Sequence, residues 1–191
     1  MVDPLSALLS FPGSLTGVGA GHTLVIGIAG AGTQSGRVTS TVGTPTPVIK
    51  DGSILSAYLL ANTSASTITI TYNLSGETRM HLSVAEYANT ASAPLDGAAS
   101  FVKSGHGNIV STPNFTTTTS SDLLWSYCAA PGGTALTPGS APILWTQRPS
   151  PNGAGAAILV EDGVTTTAGS YYGQCTGPDP ALEIVTLALK P

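Results

Sequence analysis

The sequence predicts an all-β chain: a single antiparallel β-sandwich of jelly-roll-like character, spanning residues 1–191 as one domain. Three observations predict it. Thr and Ser number 26 and 21 among 191 residues, and Thr suits a pleated, half-buried surface. Gly (23) and Pro (14) punctuate the chain at short intervals, as turns require. Apolar and polar residues alternate at period 2 in segment after segment, while helical periodicity is hard to find. About ten or more short strands follow, joined by long Pro/Gly/Thr loops.

The elements follow in order. Leu5–Phe11 reads as a first strand, although the overlapping Pro4–Leu9 is the chain's one helix-compatible stretch and is too short to weigh. Thr23-Leu24-Val25-Ile26-Gly27-Ile28 reads as a fully buried central strand. Arg37–Val42 and Ile54–Ala61 come next. In Thr67-Ile68-Thr69-Ile70-Thr71-Tyr72-Asn73-Leu74 the hydroxyls face one way and Ile68, Ile70, Tyr72 and Leu74 the other. Met80–Glu86 alternates likewise, with Met80, Leu82 and Val84 inward. Ala98–Val102, Asp122–Cys128, Ile143–Thr146, Ala156–Val160 and Leu182–Leu189 complete the set. Turn signals separate them: Pro12-Gly13, Asp51-Gly52, Ser75-Gly76, Pro131-Gly132-Gly133, Asn152-Gly153, Asp162-Gly163 and Gly177-Pro178. Thr44–Pro47, Pro131–Pro142 and Pro149–Gly155 read as long loops. No boundary or repeat stands out along the chain.

Composition excludes several functions. Charged residues make up only 8%, the net charge is −4, and the six basic residues (Arg37, Lys50, Arg79, Lys103, Arg148, Lys190) stand singly. No basic patch exists to neutralise phosphates, so nucleic acid and anionic membrane are poor candidates as partners. Apolar content of 41% with a mean hydropathy of +0.25 is incompatible with wholesale disorder. No apolar run approaches the roughly 18–20 residues of a membrane helix, so membrane insertion is not expected. Met1-Val2-Asp3-Pro4-Leu5 has neither a basic region nor a long apolar one, so no export signal is read there.

The constellations that carry chemistry are mostly missing. Gly27-Ile28-Ala29-Gly30-Ala31-Gly32 follows an apolar strand, but the β-branched, turn-like stretch after it offers no helix N-terminus for a pyrophosphate. A glycine-rich bend is the reading. No Gly-x-Ser-x-Gly elbow occurs, and His22, His81 and His106 stand alone. Glu161-Asp162-Gly163 is the sole acidic pair; it reads as a strand end entering a turn, and no Asp-x-Asp spacing supports calcium there. No catalytic residue, cofactor or metal ligand is therefore expected. Glu86 falls on the inward face of its strand, where an unpaired carboxylate is costly; a polar anchor held by loop amides or a hydroxyl is one account, a ligand contact the other. Asn62, Asn73 and Asn114 match the N-glycosylation pattern, which arises readily by chance in so hydroxyl-rich a chain. Cys128 and Cys175 are either two buried thiols or one bridge, and the sequence leaves both open. A bridge closing a loop of that length would stabilise by about 4 kcal/mol.

Three segments together resemble an uncharacterised family of β-sandwich domains of bacterial extracellular and phage-associated proteins. They are Leu82–Tyr87 leading into Ala93-Pro94-Leu95-Asp96, Thr116–Leu124, and Ile158–Glu161 followed by Gly169-Ser170-Tyr171. The opening Leu9–Pro12 and Gly21–Ile26 is similar to that family's first strands. The resemblance implies a lectin-like sandwich on a surface or particle, and it carries over no catalytic residue.

The expected function is a non-enzymatic structural protein of an extracellular or virion assembly, acting by self-association or lattice packing. An uncharged, hydroxyl-rich surface suits such burial. The alternative is a carbohydrate-binding module, whose sugar faces would stack on exposed aromatic rings. Of eleven aromatics, Trp125 lies in an apolar strand and reads as core; Trp145, Tyr171 and Tyr172 are the candidate glycan platform.

Overall fold

The computed structural model describes residues 3–9, 13–30, 37–50, 54–64, 66–73, 80–103, 108–131, 135–149, 156–177 and 181–191. Among them the chain is all β. The first half supplies β1 (Asp3–Leu9), β2 (Gly13–Val18), β3 (Thr23–Gly30), β4 (Arg37–Ser40), β5 (Thr46–Lys50), β6 (Leu55–Leu60), β7 (Ser66–Asn73) and β8 (Met80–Ala88). The second supplies β9 (Ser100–Lys103), β10 (Ile109–Ser111), β11 (Phe115–Thr116), β12 (Leu123–Pro131) and β13 (Thr137–Pro138). It continues with β14 (Thr146–Arg148), β15 (Ala156–Val164), β16 (Ser170–Tyr171), β17 (Gln174–Thr176) and β18 (Glu183–Leu189). The described ladders between these strands are antiparallel.

Two five-stranded sheets form the centre, in the orders β1-β8-β3-β6-β5 and β9-β18-β12-β15-β14. A small sheet covers each outer face: β2-β7-β4 over the first, and β10-β17-β13 with the β11-β16 pair over the second. Written this way, the halves share one plan. The first strand of each half pairs with its last, which pairs with the half's long central strand, β3 or β12. The cover repeats too, since β2-β7-β4 and β10-β17-β13 occupy equivalent places in chain order. The all-β, sandwich-like class is as expected, and its layering runs four deep.

The inner faces of the two five-stranded sheets meet in the main core. Val25, Leu55, Leu59 and Tyr87 of one face Trp125, Tyr127, Val160 and Leu187 of the other. Trp125 and Tyr127 stack with centroids 5.7 Å apart, and Trp125 is fully buried, as its apolar strand requires. Gly27 explains itself here: a Cβ at that position would lie 2.8 Å from the Tyr127 ring. Gly27 and Gly30 thus continue β3, and the expected glycine-rich bend is corrected to strand as far as Gly30. Because both faces of each central sheet are covered, β3, β6, β12 and β18 are buried along nearly their whole length. Continuous apolar runs replace alternation for that reason. Alternation survives in the covering strand β7, where Ile68 and Ile70 turn inward.

Three expected irregular segments are strands. Thr44–Pro47 leads into β5, the terminal strand of its sheet, where Pro47 removes no ladder partner that matters and the register shifts before Ile49. Part of Pro131–Pro142 forms β13. Asp162-Gly163 is no turn but the last stretch of β15 before Val164, because β15 pairs with β12 out to Leu123 and Val164. Pro4–Leu9 pairs with β8 as strand. His106, Leu74 and the turns at Asp51-Gly52, Ser75-Gly76 and Asn152-Gly153 lie outside the described residues.

Candidate functional site

The expected aromatic platform does not form. Trp145 is 7% exposed and Tyr171 9%, packed with Phe115, Leu124 and Ala188 beneath the β11-β16 pair. Trp145 donates its indole N–H to the Ala141 carbonyl at 3.0 Å, and the Tyr171 hydroxyl donates to the Thr167 carbonyl at 2.6 Å. Both rings are core, with their polar ends satisfied internally. Tyr172 alternates away from Tyr171 and is half-buried. No stacking face is assembled from the three. Cys128, on the outer face of β12, is bonded to Cys175 of β17, with Cα atoms 6.5 Å apart. Of the two readings open in the sequence, the structure has the bridge.

Glu86 is the anchor rather than the ligand contact. Its side chain is buried on the outer face of the first sheet and accepts from the Gly19 amide at 2.8 Å, with His22 Nδ1 at 2.5 Å. Thr63 donates its hydroxyl to the Gly19 carbonyl, closing the same corner. His81 in β8 is half-buried, and burial lowers its pKa.

The acidic pair in β15 divides between two faces, as strand geometry dictates. Asp162 points between the central sheets. Arg148 donates to it in a fork at 2.8 and 2.7 Å, and the Tyr87 hydroxyl donates from the opposite sheet at 3.1 Å. Glu161 points outward, beside Ser126 of β12. It is 1% exposed, and neither carboxyl oxygen closes a hydrogen bond, although the Gly139 amide and Ser126 hydroxyl lie nearby. Burial pushes its pKa up to about 8. Thr186 donates to Ser126 at 3.2 Å along the same polar row. Gly173 crosses above it so closely that a Cβ would fall 1.8 Å from the Thr186 hydroxyl.

An open concavity lies elsewhere, at the seam between the halves. The connection after β8 runs beside β18: Lys190 donates to the Pro94 carbonyl, and Asp96 donates its amide to the Ala188 carbonyl. Together with β5 and the end of β6, this connection encloses a groove of about 830 Å³. Val48, Leu59, Leu60 and Leu95 line it, while Pro47 and Ala98 sit at the exposed rim. Among the described residues, no charged side chain lines it.

The connection is held by a carboxyl pair that the sequence does not reveal. Asp96 accepts from the Thr118 amide at 2.5 Å, the Thr118 hydroxyl at 2.6 Å and the Thr119 amide at 3.3 Å. Burial pulls the Asp96 pKa upward, but these hydrogen bonds outweigh it and leave the group below its ordinary value. Asp122, fully buried, accepts from the Thr119 hydroxyl through Oδ1 and shares a hydrogen bond with the Asp96 carboxyl beside it. Burial first, and then the Asp96 carboxylate beside it, push the Asp122 pKa up to about 6. Both aspartates were legible only as a motif residue and a strand residue. Their meeting depends on the seam.

Among the described residues, no three His, Cys, Asp or Glu side chains converge, and no helix is long and apolar enough to cross a membrane. Comparison with family models, with curated proteins and with solved structures yields no match, so the meaning of the site rests on its geometry.

Proposed function

We propose that this chain is a non-enzymatic structural protein of a virion or extracellular surface assembly, acting by packing against copies of itself. The observation that supports this most is the uncharged apolar groove at the β5 edge, paired with an apolar projection at the opposite edge. Leu144, just before the terminal strand β14, is 89% exposed. β5 and β14 end their sheets on opposite sides of the molecule, since β6 lies over β18 and β8 over β15. A groove at one edge and a projection at the other make a head-to-tail contact, which builds a ring or an open filament according to the rotation between copies. Pro47 and the register shift in β5 blunt that edge for strand addition, so the occupant engages through side chains. The buried titratable groups described above have structural partners or neighbours, and the sparse charge leaves little repulsion between copies. The resemblance to extracellular and phage-associated sandwiches points the same way.

The glycan-binding alternative loses support from the burial of Trp145 and Tyr171, which leaves Tyr172 without a stacking partner from the expected set. Light scattering on a size-exclusion column at rising concentration tests the assembly reading. Concentration-dependent growth that is abolished by either Leu144→Asp or Ala98→Glu is expected. A strict monomer at high concentration, or growth untouched by both substitutions, overturns it.

A further inference from the structure

We propose that the face between the two halves is a selective recognition surface, on which the first half's central sheet accepts only a face of the second half's kind. The shared strand order brings equivalent strands together: β6 lies on β18, β8 on β15, and β3 on β12. Exchanging the halves turns each of these contacts into another of the same set. That is the pattern of an isologous interface, in which a two-fold axis relates the partners. The register fixes where the axis passes. After β6 the Thr63 amide donates to the His22 carbonyl at 2.9 Å, and after β15 the Thr165 amide donates to the Asp122 carbonyl at 2.9 Å. His22 directly precedes β3 and Asp122 directly precedes β12, so Gly27 stands in its half where Tyr127 stands in the other. Those two positions face each other, since a Cβ on Gly27 would lie 2.8 Å from the Tyr127 ring. Equivalent positions meet in this way only at the axis.

Size breaks the symmetry there. In the ladders Gly27 stands between Ala57 and Ser83, whereas Tyr127 stands between Val160 and Val185. One face is hollow at its centre and the other is raised. Farther out the order reverses, because Tyr87 beside Thr23 is the larger counterpart of Leu189 beside Leu123. A raised centre seated in a hollow one fills the core to native density. Two first-half faces would enclose a void at the axis, and two second-half faces would drive one Tyr127 into another. Cavities and overpacking both destabilise, so mismatch rejects like halves while fit admits unlike ones. Neighbouring copies are thereby kept from pairing their central sheets like with like. The inference stands apart from the assembly reading, because it needs no contact between copies.

The test moves bulk across the axis in the full chain, with thermal melts of Gly27→Tyr, Tyr127→Gly and the two together. Each single substitution should lower the Tm by about 10 °C or more, or prevent folding. The exchanged pair keeps the total volume, and it should regain at least half of the poorer single's loss, or fold where that single does not. A control, Gly27→Tyr with Trp125→Gly, removes bulk from the neighbouring inner position and should recover nothing. An exchanged pair no better than the poorer single overturns the proposal. So does a control that recovers as well as the exchanged pair, because any nearby void would then suffice and the axis would select nothing.

Discussion

The two halves of the molecule carry the same strand order but hold their outer layers in different ways. In the first half the covering strands β2, β7 and β4 are 6, 8 and 4 residues long. They close an aliphatic core over Leu24, Ile26, Ile28, Leu82 and Val84, and no disulfide crosses it. In the second half the equivalent β10, β17 and β13 have only 3, 3 and 2 residues. That cover splits into two pieces, with the polar row of Glu161, Ser126 and Thr186 beneath the gap. So short a layer supplies few ladder hydrogen bonds and little apolar area. The Cys128–Cys175 bond fastens it to β12 instead. One plan is therefore stable by two routes: area where strands are long, a covalent tie where they are short.

The largest expected effect lies in the joint that both halves share. Arg148→Ala leaves Asp162 between the sheets with only the Tyr87 hydroxyl, and loss of one partner of a buried ion pair costs about 3–5 kcal/mol. Urea unfolding followed by tryptophan emission should report that loss in one transition, because Trp125 sits in the common core. Two separated transitions would show instead that the halves are independent.

Next comes the tie itself. The double substitution Cys128→Ser with Cys175→Ser should lower stability by about 2–4 kcal/mol. Hydrogen exchange should quicken in β10, β13 and β17 while β2, β4 and β7 keep their protection. Equal loss of protection in both covers would break the contrast drawn above.

A stabilising change should come from the polar row. The pKa of Glu161 is raised in the folded chain, so folding retains a proton that the unfolded chain releases. Its contribution is full below about pH 4.5 and is lost as pH climbs through about 8. Glu161→Gln should raise the melting temperature at pH 7–8, by a stability gain of about 1–3 kcal/mol, and flatten its fall over that window. A variant less stable than wild type at pH 8 would mean that the carboxylate has an occupant of its own.

The smallest effect concerns the first half's polar corner. Glu86→Gln keeps an acceptor for the Gly19 amide but weakens the bond to His22, for a loss of about 1 kcal/mol. Circular dichroism melts at neutral pH suffice to read it. A loss as large as that of the disulfide would mean that the first cover also depends on a single fastening.

Much of this fold is legible in the sequence. The Ile68–Ile70 alternation, the apolar runs at Thr23–Ile28, Asp122–Cys128 and Leu182–Leu189, and the placing of Glu86 on the same face as Leu82 and Val84 follow from period and polarity alone. The short covering strands were not legible, because two or three residues show no period. Trp145 looked free because its neighbours Thr146, Gln147 and Arg148 are polar, yet Arg148 turns inward to Asp162 and the ring packs outward beneath β11-β16. Glu161-Asp162-Gly163 looked like a turn because acidic residues and glycine usually leave strands; the pairing with β12 overrides that preference.

By itself the sequence determined the class of fold and the lines of its core. Hydroxyl-rich alternation admits strands, and a chain with so few ions has little with which to build an acid–base site. Tertiary structure decided the rest: that two halves repeat one strand order, that Cys128 meets Cys175, and that Asp96 meets Asp122. Those are pairings between distant segments. Local preference constrains what each segment becomes, while the register and stacking of whole sheets select which segments touch.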